Sequence, residues 1–262
     1  MRTEQVSSAQ NPKIKELLAL QEKSRERRAQ GFFVVEGRRE LEHCMEAGFR
    51  VGTVFLCPEI CPSLPEGLNA PLVVEVPAAL YGKIAYRGTT EGIIAEVEAR
   101  SLSLDDLRLP DNPLIMVLEA VEKPGNLGAV LRSADAAGAD AVIICDPLTD
   151  LYNPNLIRAS IGAIFSVPVV AASSAETIGF LKSRGIRILT AQLQDSSLYY
   201  DCDMIGPTAL VMGTESTGLS DAWRAAADAH IRIPMLGRLD SLNVSVSAAI
   251  LLYEAIRQRN DK

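Results

Sequence analysis

The chain has 262 residues with 26 Lys and Arg against 33 Asp and Glu, a net charge of −7 that excludes a protein coated in basic surface. Nearly half the residues are apolar, yet no apolar run approaches the length that spans a bilayer, which excludes a membrane-embedded chain. Five scattered cysteines, without paired CxxC spacing, exclude a disulfide framework and a zinc ribbon. They read as free thiols of a reducing compartment, and the first eight residues lack the apolar stretch of a secretory leader. The cytoplasm is therefore the expected location, and two modest α/β domains are the expected organisation.

In chain order, residues 10–24 place Ile14, Leu17, Leu18 and Gln21 on one side of a helix opened near Asn11-Pro12. Residues 32–35 read as a strand, 39–47 as a helix ending at Gly48, 51–57 and 72–76 as strands, 78–84 as a helix and 92–97 as a strand. Residues 11–39 hold eight basic residues, namely Lys13, Lys15, Lys23, Arg25, Arg27, Arg28, Arg38 and Arg39, against four acidic ones. A basic face on an otherwise acidic body can contact phosphates, and it can equally be a solvated helix of mixed charge. This first unit, residues 1–100, is followed by a polar, proline-containing stretch at 101–113 expected to be a linker.

From residue 114 strands and helices alternate. Strands are expected at 114–118, 141–145, 167–170, 186–191, 208–212 and 230–233, and helices at 127–137, 155–160, 175–183, 219–227 and 243–258. Alternation of this kind predicts a parallel sheet covered on both faces, with ligands bound beyond the carboxyl ends of the strands.

Three segments sit at that end. The first is Glu122-Lys123-Pro124-Gly125-Asn126-Leu127-Gly128-Ala129-Val130-Leu131-Arg132, in which Asn126 is a candidate N-cap. Its glycine spacing matches neither the dinucleotide fingerprint nor the phosphate loop, which disfavours a nucleotide-dependent oxidoreductase. The second, Leu210-Val211-Met212-Gly213-Thr214-Glu215-Ser216-Thr217-Gly218-Leu219-Ser220, leaves a strand through glycines and sets one carboxylate, Glu215, in the turn. The third runs Ile231-Arg232-Ile233-Pro234-Met235-Leu236-Gly237-Arg238-Leu239-Asp240-Ser241-Leu242-Asn243-Val244-Ser245, a strand entering a small polar turn and then a helix for which Ser241 is a candidate cap, with Asn243 and Ser245 able to satisfy first-turn amides. Taken singly, each segment is explained as well by helix capping as by function.

In this order the three resemble the motifs of the SpoU/TrmH family of RNA 2′-O-ribose methyltransferases, and chance agreement across all three is remote. Residues 8–37, with Asn11-Pro12, the basic helix and Phe33-Val34-Val35-Glu36-Gly37, look like the amino-terminal RNA-binding domain attached to many members. The resemblance implies a carboxy-terminal methyltransferase domain, residues 114–262, of the SPOUT class with a deep trefoil knot, beside a small amino-terminal α/β domain that binds RNA. It implies S-adenosylmethionine as cofactor, with Gly213, Ile233, Met235, Leu242 and Asn243 in its pocket, and no metal. It implies a reaction centre of Asn126, Arg132, Glu215, Ser241 and Asn243. A homodimer follows too, in which the arginine of one subunit serves the cofactor of the other. The substrate implied is structured RNA, ribosomal rather than transfer RNA on the strength of the basic first domain. A non-catalytic RNA-binding assembly factor with this fold would be expected to lose Arg132 or Asn243, and both are present. Methylation of a base or a protein by the same fold stays open.

Overall fold

A computed structural model describes residues 1–86, 91–214 and 217–260. Its elements begin with β1 (Arg2–Gln5), α1 (Pro12–Glu22), α2 (Ser24–Gln30), β2 (Phe32–Glu36), α3 (Arg38–Glu46), β3 (Val51–Leu56), β4 (Leu72–Glu75), α4 (Ala78–Ile84) and β5 (Ile93–Glu98). They continue as β6 (Leu114–Glu119), α5 (Pro124–Ala136), β7 (Ala141–Cys145), α6 (Pro154–Ser160), α7 (Ala163–Ser166), β8 (Val169–Ala172) and α8 (Ser174–Ser183). Last come β9 (Arg187–Ala191), β10 (Ser197–Leu198), β11 (Thr208–Met212), α9 (Asp221–Ala226), β12 (Ala229–Arg232) and α10 (Val244–Asn260). The chain forms two compact units, Met1–Arg100 with Asp150–Ser166, and Ser101–Thr149 with Val167–Lys262.

The first unit is built on a five-stranded mixed sheet in the order β1-β4-β3-β5-β2. α1 opens where expected, with the Asn11 side chain accepting from the Lys13 amide and Pro12 in the first turn, where its missing N–H is not needed. Ile14, Leu17 and Leu20 of α1 are buried against Val34, Phe55, Val74 and Ile94 of the sheet. Leu20 thus occupies the buried position expected of Leu18. The helix breaks at Lys23, whose extended backbone (φ −114°, ψ 112°) ends α1 and begins α2, a helix the sequence pattern did not indicate.

Arg27 explains the break. It is buried, donates to the carbonyls of Leu20 and Gln21 at the end of α1 (2.6 and 3.1 Å), and pairs with Asp150 at 2.6 Å. So Arg27 is a structural cation, whereas Lys15, Lys23, Arg25, Arg28 and Arg39 of the same basic set are exposed. Segment 150–166 belongs to this unit rather than to the second half of the chain. Tyr152 stacks on Phe33 (centroids 4.1 Å apart), and Phe165 lies against Phe33 and Phe49. Aromatic area of this kind anchors a segment strongly.

The second unit is a seven-stranded sheet in the order β10-β12-β9-β11-β6-β7-β8, parallel throughout. Every residue of β6, β7 and β11 is buried, as strands covered on both faces require. The chain proceeds outward from β6 through β7 to β8, crosses to β9, and then inserts β11 between β9 and β6. The order therefore reverses at β6/β11, the place where open parallel sheets bind ligands. α10 returns to pack on α5, β11 and β6. Residues 101–113 are not a free linker: Leu102 bridges to Val170, and Leu104, Leu107 and Leu109 join the core of this unit. All five cysteines are buried free thiols, and burial pushes Cys44 and Cys145 up to about 12. Among the described residues no helix is long and apolar enough to cross a membrane.

Candidate active site

The three segments converge at the carboxyl ends of β6, β11 and β12. After β11 the chain closes a very tight turn. Thr214 and Gly218 exchange backbone hydrogen bonds (3.2 and 3.1 Å), the Thr214 and Thr217 hydroxyls lie 2.8 Å apart, and Gly218 takes a left-handed φ of +69°. Gly213 enters this turn so closely that a Cβ would stand 2.2 Å from the Gly218 carbonyl oxygen and 2.6 Å from the Leu219 nitrogen, both backbone atoms. Only glycine fits there. The exit of the turn is held by Glu119, a buried carboxylate at the end of β6, which accepts from the Ser220 amide at 2.8 Å and from the Ser174 hydroxyl at 3.3 Å. Trp223 donates its indole N–H to the same hydroxyl at 3.0 Å. No feature of the sequence singled out Glu119 beyond its place at a strand end.

Asn126 is not an N-cap. α5 begins one turn earlier, with Lys123 at the cap position and Pro124 first in the helix, so Asn126 lies inside the first turn. Its side-chain oxygen accepts from the Asn243 amide at 3.1 Å, which ties the first segment to the third. Nor does Ser241 cap α10; its hydroxyl donates to Asp240 at 3.2 Å. Asn243 takes that position, accepting from the Ser245 amide at 3.0 Å and from the Ser245 hydroxyl at 2.6 Å. Arg132, two turns along α5, is exposed and makes no hydrogen bond or ion pair among the described residues. Glu215 lies outside the described residues.

A cavity of about 360 Å³ opens beside the turn, a size suited to a small organic molecule. Gly213, Ile233, Met235, Ser241 and Leu242 line it, and Met212, Leu219, Ile231 and Leu251 supply apolar wall. Asn126, Arg132 and Asn243 are not on its lining. The sequence-based set is thus divided: one group walls the cavity, and the Asn126–Asn243 pair joins α5 to the start of α10, whose Val244, Ser247 and Leu251 line it. Gln192 and Arg224 also line the cavity, although neither belongs to a motif; for Gln192 the available signal was its place immediately after β9. Among the described residues no group of three or more His, Cys, Asp or Glu is placed to hold a metal ion.

A family model described as the SpoU rRNA Methylase family matches residues 113–253. A second, the MRM3-like substrate binding domain, matches residues 11–95. The chain is 30% identical to the 23S rRNA (uridine(2479)-2′-O)-methyltransferase of Streptomyces viridochromogenes over 96% of this chain and 92% of that protein. A crystal structure of an RNA 2′-O ribose methyltransferase is 40% identical, with TM-score 0.84 over 98% of this chain and 99% of that one. The AdoMet-bound rRNA methyltransferase of Sinorhizobium meliloti is 29% identical, with TM-score 0.88 over 97% of this chain and 98% of that one. More than half of the chain matches the first model and a relative of nearly equal length is similar throughout, so the chain belongs to the SpoU rRNA methylase family.

Proposed function

We propose that the chain transfers a methyl group from S-adenosylmethionine to the 2′-hydroxyl of a ribose in ribosomal RNA. The observation that carries this reading is the cavity at the β6/β11 reversal. It is walled by Gly213, Ile233, Met235 and Leu242 and flanked by the bonded pair Asn126–Asn243. Its apolar side fits the adenosine part of the cofactor, and the loops at Gly213, Ile233 and Leu242 offer backbone donors and acceptors. When bound, the cofactor supplies an activated electrophilic methyl, so alignment and management of one proton are what the protein must add.

Arg132 is assigned to the ribose oxygen. A guanidinium stays protonated in most protein sites, so its main effect is to stabilise the developing alkoxide and the neighbouring phosphate rather than to act as a base. Asn126, Asn243, Ser241 and Glu215 are assigned to orient Arg132 and the substrate. The insertion of β11 between β9 and β6, followed by the return of α10 across β11 and β6, supports a knotted carboxy-terminal domain. The first unit is assigned to RNA, through the exposed cations Lys15, Lys23, Arg25, Arg28 and Arg39.

A homodimer through the second unit is part of the same reading. Val246 and Tyr253, two turns apart on α10, are each about half exposed, and Leu236 in the preceding loop is 96% exposed. Apolar area of this kind is ordinarily covered. Mixing Arg132→Ala chains with Gly213→Ala chains should restore activity when sites are shared, and absence of any rescue would argue for self-contained subunits. The reaction itself is tested by incubating the protein with labelled S-adenosylmethionine and ribosomal RNA, then hydrolysing with alkali. Label in an alkali-resistant dinucleotide is expected; label released as a mononucleotide would place the methyl on a base and refute the reading.

A further inference from the structure

Among the described residues the cavity holds two buried polar atoms without a hydrogen-bond partner, Oε1 of Gln192 and Nε of Arg224, the rest of whose side chain is partly exposed. Gln192 follows the last residue of β9, where its backbone amide donates to the Ile231 carbonyl at 3.0 Å. Its side-chain nitrogen donates to the Gln194 carbonyl at 2.9 Å, which leaves the oxygen as the unsatisfied end of the amide. Arg224 sits in α9, beneath the Gly213–Gly218 turn. Among the described residues the carboxylate that comes within 4.0 Å of it is Asp221, at that distance and beyond hydrogen-bond range. A buried donor or acceptor without a partner is costly, and folds retain one where a ligand or water supplies what is missing.

We propose that Arg224 and Gln192 together hold the amino-acid end of S-adenosylmethionine, Arg224 binding the carboxylate and Gln192 Oε1 the ammonium. This rests on the cofactor reading given above. The chemistry of the two orphans selects this group. One is part of a permanent cation with a planar fork matched to a carboxylate, and the other is a neutral acceptor that takes an N–H donor. An α-amino acid is a carboxylate next to an ammonium, the complement of that pair. Adenine would satisfy an acceptor but not a full positive charge, and a phosphate would leave Gln192 unpaired. Among the described residues two other charged groups line the cavity, and each has a hydroxyl partner: Arg232 bonds the Ser196 hydroxyl at 3.4 Å, and Asp240 accepts from Ser241 at 3.2 Å. Met212, Leu219, Ile231 and Leu251 leave an apolar region for the adenosine.

Calorimetric titration separates the two ends of the cofactor. S-adenosylhomocysteine carries the amino-acid group, and 5′-methylthioadenosine keeps the adenosine and thioether without it. Arg224→Met and Gln192→Leu are each expected to weaken S-adenosylhomocysteine binding by about 10- to 100-fold, the effect of losing a hydrogen bond to a charged group. Binding of 5′-methylthioadenosine should be unchanged. Arg224→Lys keeps the charge without the fork and should lose severalfold; it replaces Arg224→Met if that variant melts early. Equal weakening of both ligands would make these residues wall rather than recognition and overturn the proposal, as would unchanged binding of both. A wild-type protein that binds neither ligand refutes the cofactor reading itself. A wild type that binds both, with variants that behave like it, refutes only the assignment of Arg224 and Gln192.

Discussion

Replacing Arg132 by alanine separates chemistry from folding more cleanly than any other single change. The side chain is exposed, makes no bond among the described residues and is absent from the cavity lining. The buried face of α5 is carried instead by Leu127, Val130, Leu131 and Ala134. Surface positions of this kind change stability by no more than about 0.5 kcal/mol, and alanine is at least as good a helix former as arginine. The variant should therefore unfold at the wild-type temperature and bind S-adenosylmethionine normally. If Arg132 stabilises charge developing on the ribose oxygen, the rate of methyl transfer should fall by about 10²–10³, comparable to removal of one preorganised oxyanion donor. Arg132→Lys should recover part of that loss. Single-turnover kinetics at saturating RNA isolate the step from RNA binding. Near-normal turnover in Arg132→Ala would remove this residue from the mechanism; a large drop in stability would show that its side chain is structural.

Gly213→Ala places a methyl against backbone atoms of the Gly213–Gly218 turn, so it should cost about 1–3 kcal/mol and weaken cofactor binding at least about tenfold; wild-type calorimetry would contradict the packing argument. Charge reversal at Lys15, Lys23, Arg25, Arg28 and Arg39 should weaken RNA binding and flatten its salt dependence while cofactor affinity holds, and an unchanged salt slope would leave these residues an ordinary solvated surface. Arg27→Glu should instead destabilise the fold by about 3–5 kcal/mol, because it leaves Asp150 and two carbonyls unpaired in a buried place; a wild-type melt would contradict that. Burial, reinforced by Glu16 and opposed by the Thr53 hydroxyl, raises Glu96 from 4.5 to about 7. Between those values the folded chain holds a proton that the unfolded chain has released, so this group's contribution to stability declines as pH rises from about 4.5 to about 7. Denaturant titrations of wild type and Glu96→Gln should therefore converge at low pH and diverge toward pH 7, with the variant more stable there; parallel curves would contradict it.

The alternation of apolar strands and helices from residue 114 onward was legible because the central strands β6, β7 and β11 are buried on both faces and so read as unbroken apolar runs. β1 was not legible: Arg2-Thr3-Glu4-Gln5 is a polar edge strand joined to β4 by backbone pairing and one exposed bond from the Gln5 side chain to Glu75. Segment 150–166 carries helix signals, yet nothing local records that Tyr152 and Phe165 pack on Phe33, more than a hundred residues away. At the site, Gly213, Ile233, Met235, Ser241 and Leu242 were found because motif residues also shape the turns that wall the cavity. The cap assignments failed where two polar residues compete for one helix start. Pro124 fixes the opening of α5 ahead of Asn126, and Asn243 lies one residue before α10 while Ser241 lies three. Gln192, just past the end of β9, and Arg224, in α9, reach the cavity without belonging to any motif, and the place of Gln192 after a strand was the sole local signal.

The central claim, methylation of a ribose in ribosomal RNA, is tested most directly by mapping 2′-O-methylated positions in ribosomal RNA from cells with and without the gene. The account predicts that at least one ribose methyl disappears on deletion, returns with the wild-type gene, and does not return with the Arg132→Ala gene. Identical maps from the two strains would contradict it.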